Sequence, residues 1–119
     1  MTRNSQISRE FNIDDVIDDM ILALKTFEGV DWYTLKEHML SILKIEKKLL
    51  ADLAALRIIG DLSHEEFVIL INDEKPIITS QLMTIRGITM TRVMAEHFTN
   101  ALIDIYIRSV TDYCRKYGR

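Results

Sequence analysis

Apolar residues recur at three- and four-residue steps along most of the chain, the spacing that lines them up on one face of an α-helix. From Ile13, the series Val16, Ile17, Met20, Ile21, Leu24 and Phe27 obeys this rule. Asn12 stands where a helix N-cap belongs, and Asp14 and Asp15 fall in the first turn, where the helix dipole favours anions. Lys25 and Gly29 mark the end of this first helix. A second is predicted from Asp31 to about Ile59. Its apolar face is Leu35, Met39, Ile42, Leu43, Leu49, Leu50, Leu53 and Leu56, with Lys36, Lys44, Lys47 and Lys48 mostly off it.

The stretch Leu62–Phe67 carries a helix-start signature. Ser63 and Glu66 have the spacing of a capping box, and Leu62 and Phe67 that of a hydrophobic staple. Phe67–Ile71 is also rich in β-branched residues, and Asn72–Lys75 could turn the chain into a strand at Pro76–Ser80. Helices followed by such a hairpin would make a winged-helix DNA-binding protein. The capping signals favour the helix, and Pro76 then sits in the first turn of the next one, where its missing N–H costs nothing. From Pro76 to about Tyr117 the pattern stays helical, with a break or kink expected at Gly87.

Ala101 to Ile107 is apolar at every position except Asp104. A helix that is apolar on all sides must be covered on all sides. The expected architecture is all-α, a four-helix bundle-like domain of two helical hairpins with a long C-terminal helix. Four helices of one small chain cover only one or two sides of each member, so a second copy or a partner is expected to supply the rest. Phe98, Leu102, Ile103, Ile105, Tyr106, Ile107 and Val110 form the expected self-association face.

Composition agrees with this picture. The chain has 119 residues, enough for a single helical domain over residues 12–119 behind a flexible tail, residues 1–11. It has one proline and four glycines, few for a β-rich protein. The formal net charge of −3 argues against a general polyanion binder, because phosphate contacts demand a basic face. No apolar run exceeds the five residues of Phe67–Ile71, far short of the roughly 18 that a membrane span needs. Cys114 is the only cysteine, which excludes an intramolecular disulfide. Met1 to Glu10 is polar and lacks the apolar stretch of a signal peptide, so a cytoplasmic location is expected.

Candidate chemistry is sparse. His38, His64 and His97 each have a glutamate neighbour, but adjacent helical residues point about 100° apart and cannot ligate one ion together. Neither the His-Glu-x-x-His nor the Glu-x-x-His spacing occurs, so no metal and no cofactor are expected. Arg92 and His97, separated by four residues on a helix, have the Arg–His spacing of the HEPN family, which this short stretch resembles. That resemblance would imply a metal-independent ribonuclease with Arg92 holding a phosphate and His97 doing acid–base work. Val93 departs from the polar residue usual after that arginine.

Two carboxylates fall inside apolar surroundings. Glu46 is bracketed by Ile42, Leu43, Leu49, Leu50 and Leu53, and Asp104 lies in the apolar fourth segment. A buried carboxylate needs a partner. Arg57, Arg86 and Arg108 are the arginines considered for that role, and an edge position facing water is the other solution. Met83, Met90 and Met94, with Met20 and Met39, read as core, and Trp32 and Tyr33 as anchors against the first helix. No phosphate loop, nucleophile elbow or EF-hand loop is present. The functional expectation is a non-enzymatic helical interaction module, such as an adaptor, inhibitor or assembly subunit. Its partners would be a second copy of itself and another protein.

Overall fold

The structure is a computed structural model and describes residues 11–26, 31–86 and 90–117. Five helices lie among these: α1 (Ile13–Leu24), α2 (Trp32–Ile58), α3 (His64–Asn72), α4 (Lys75–Met83) and α5 (Arg92–Tyr117). The predicted tail up to Glu10, Phe27, and the glycines at 29, 87 and 118 lie outside the described residues.

The helix starts follow the sequence signals. Asn12 caps α1 by accepting from the Asp14 N–H, and Asp31 caps α2 by accepting from that of Tyr33. Ser63 and Glu66 form a reciprocal capping box on α3. At the α2 end, Gly60 takes a φ of +89°, a left-handed conformation that favours glycine. The segment from Pro76 onward supplies both α4 and α5, with α4 ending at the Thr84 cap.

Phe67–Ser80, the candidate hairpin, is helical on both sides of a turn at residues 73–74. No strand occurs among the described residues, so the winged-helix alternative is overturned. The capping box starts a helix here, and Phe67 and Ile71, four residues apart, bury its inner face completely.

α5 is the central helix. It packs most extensively on α1 and α4 and also touches α2 and α3. Its inner residues Phe98, Leu102, Ile103, Tyr106 and Val110 are 0–1% exposed. The Tyr106 phenol, pushed to a high pKa by burial, donates to the Leu50 carbonyl of α2 at 2.6 Å. This changes the expected self-association face. Five of its seven residues are covered by the chain's own helices, because four neighbours surround α5. Only Ile105 and Ile107 remain half-buried.

Other expectations are also revised. Tyr33 is 80% exposed and anchors nothing, whereas Trp32 packs partly against the core. Leu56, predicted on the apolar face of α2, is exposed at 38%. Phe11, assigned to the tail, meets Tyr113 edge-on with ring centroids 5.5 Å apart.

Candidate functional site

α2 is flanked by two grooves, and Ser41 lines both. On one side runs α1, antiparallel to α2. Asp14 pairs with Lys47 at 2.7 Å, and Asp18 lines the same groove as Leu40, Ser41, Lys44 and Lys47. On the other side α4 is also antiparallel, with Glu74 beside Glu46 at one end and Ile85 and Arg86 beside His38 at the other.

The α2–α4 groove has a volume of about 300 Å³. Ile42, Ile45 and Ile85 give it an apolar floor and wall, while His38, Ser41, Gln81, Thr84 and Arg86 supply polar groups. Ile45 is 71% exposed, although its neighbour Ile42 is buried. The Gln81 Oε1 atom is buried with no hydrogen-bond partner, an unusual state for a polar atom away from water. Neither His38 nor Arg86 is ion-paired among the described residues, and no carboxylate lines this groove.

The groove is not built as a catalytic pair. Ser41 lies one helical turn from His38, yet its hydroxyl donates back to the Glu37 carbonyl at 3.3 Å. A nucleophile would instead share that proton with a base. An apolar floor with a polar rim suits a side chain of another helix.

Glu46 is buried at 8% exposure, but none of the arginines considered for it is ion-paired to it among the described residues. Arg57 points instead to the Leu62 carbonyl at 3.4 Å. The neighbour of Glu46 is another carboxyl group, Glu74. Burial raises the Glu74 pKa above its ordinary value, and the Glu46 charge and hydrogen bond and the Asp73 charge raise it further. Asp104 is exposed, so the edge position describes it.

Arg92 and His97 are both exposed and are not brought together. Five residues along a helix turn the side chain by about 140°. Arg92 lines a groove of about 190 Å³ between α4 and α5 with Lys75 and Glu96, and His97 does not. Beneath it Thr99 donates to the Ala95 carbonyl, which leaves the Thr79 hydroxyl as donor to Thr99 across the seam at 2.8 Å. The three histidines sit on α2, α3 and α5, and no cluster that could hold a metal occurs among the described residues.

Sequence reasoning missed the α2–α4 groove. The available signal was Ile45, an isoleucine outside the predicted apolar face of α2. Gln81 carried no signal, because only packing decides that its amide oxygen is buried. Comparison with protein-family models, with curated proteins and with solved structures finds no match to this chain.

Proposed function

We propose that this chain is a non-enzymatic helical interaction module, an adaptor, inhibitor or assembly subunit, that receives a partner helix in the α2–α4 groove. The observation that carries this reading is the groove itself, with Ile45 largely in water beside the unsatisfied Gln81 oxygen. Burial of that isoleucine by a partner would be worth roughly 1.5–3 kcal/mol, the scale of an interface hot spot. The self-association expected of the C-terminal helix moves to this face, since the apolar side chains of α5 already serve the chain's own core.

Site-specific photocrosslinking in the native cell tests the reading. A photoreactive residue at position 45 is expected to give a discrete adduct. The same residue at Asp104, exposed on α5 and lining neither groove beside α2, is expected to give none. No adduct at 45, or the same pattern from both positions, would remove the groove as a binding surface.

A further inference from the structure

The outer face of α1 has the complementary character to the α2–α4 groove. Asp15, Asp18, Asp19 and Leu22 are all exposed and, at steps of three and four, form one ridge. Leu22 is an apolar knob at 57% exposure at the end of that ridge. Asp14 is held by Lys47, but Asp15, Asp18 and Asp19 have no ion pair among the described residues. The groove offers what this ridge lacks: unpaired His38 and Arg86 beside an apolar floor, with no acid in its lining. One chain thus displays both halves of a contact.

Resting on the reading of the groove as a helix-binding surface, we propose that its occupant is the α1 ridge of a second copy of this chain, exchanged reciprocally in a two-fold dimer. Ser41 lines both grooves, so the two surfaces are neighbours on one side of the chain. In this dimer Asp18, Asp19 and Leu22 of one copy lie along the His38, Arg86 and Ile85 side of the other's groove. The contact occurs twice and closes, as an isologous dimer must. Leu22 and the isoleucines supply burial, while the charges select orientation and partner.

Sedimentation velocity on the full chain tests this. At about 100 μM and low salt the wild type is expected to be dimeric, because that concentration exceeds the Kd of any specific homodimer of micromolar affinity. Raising ionic strength from about 0.05 to 0.5 M is expected to weaken association by about tenfold, since the charges at the rim are screened. Arg86→Asp alone, and Asp18→Arg with Asp19→Arg, are each expected to give monomers. Mixed in equal amounts they are expected to recover a mixed dimer, identified by its mass, because both contacts in the mixture pair opposite charges. Circular dichroism checks that the helices persist. If a reversal perturbs them, the neutral variants Arg86→Gln and Asp18→Asn should still weaken the dimer.

A monomeric wild type at 100 μM overturns the proposal, as does a dimer indifferent to both reversals or a mixture that fails to reassociate. A monomeric pure protein that still crosslinks from position 45 to a different polypeptide would remove the second copy and keep the interaction-module reading. Loss of both signals would remove both.

Discussion

The seam around α5 and the seam between α2 and α4 are built from similar apolar side chains, yet only one is closed. Around α5, Leu102, Ile103 and Tyr106 meet neighbours on every side and reach 0% exposure. Between α2 and α4, Ile42 and Ile85 are covered at 7–8% exposure, while Ile45 stands out in water at 71%. The difference is one of position. α5 is long and central, and four other helices lie around it. α4 is only nine residues long and packs mainly on α5, leaving the α2 side of the seam partly open. An excess of apolar residues therefore says that a surface must be covered, and the topology says by what.

The comparison breaks first at α5. Leu102→Ala should cost about 2–5 kcal/mol in chemical denaturation, the loss expected when a fully packed side chain leaves a cavity. If α5 were instead the docking face, that substitution would spare stability and abolish association. Next in size is Tyr106→Phe, which removes the hydroxyl that α5 donates to the Leu50 carbonyl and leaves that carbonyl its helical partner alone. It should cost about 0.5–1.5 kcal/mol in the same measurement.

On the open seam the expected effects on stability are smaller. Glu74 is raised above 4.5 in the folded chain, so folding favours its protonated form. The stability it contributes is present below that value and is lost as pH rises through the folded pKa. Glu74→Gln should therefore stabilise the protein at pH 7 by less than about 1 kcal/mol, with the gain vanishing below about pH 4, as read from melting curves across pH. A constant gain at all pH values would separate the effect from ionisation. Smallest is Ile45→Ser, which should change folding stability by less than about 0.5 kcal/mol because the side chain is mostly solvated. Its effect should appear in crosslinking and association instead, which is the reverse of Leu102→Ala.

Much of the fold was legible one residue at a time. Asn12, Asp31, Ser63 and Glu66 act through hydrogen bonds to backbone two or three residues away, and such bonds depend on local sequence alone. The face of α1 was equally plain, since Val16, Ile17, Met20, Ile21 and Leu24 are buried as their spacing requires. The candidate site was not legible in this way. Glu46 and Glu74 are brought together by the turn that returns α4 along α2, and sequence distance hides that pairing. Arg92 and His97 matched a spacing, but their angular separation on α5 keeps them apart.

By itself, then, the sequence determined the helices, their caps and the need to bury a strongly apolar C-terminal segment. These follow from periodicity and from short-range hydrogen bonding. Only the tertiary structure decided that α5 is buried by its own chain and that Ile45 is left uncovered beside the seam between α2 and α4. Which helices surround which is a property of long-range packing, where every covered face competes for a limited number of neighbours.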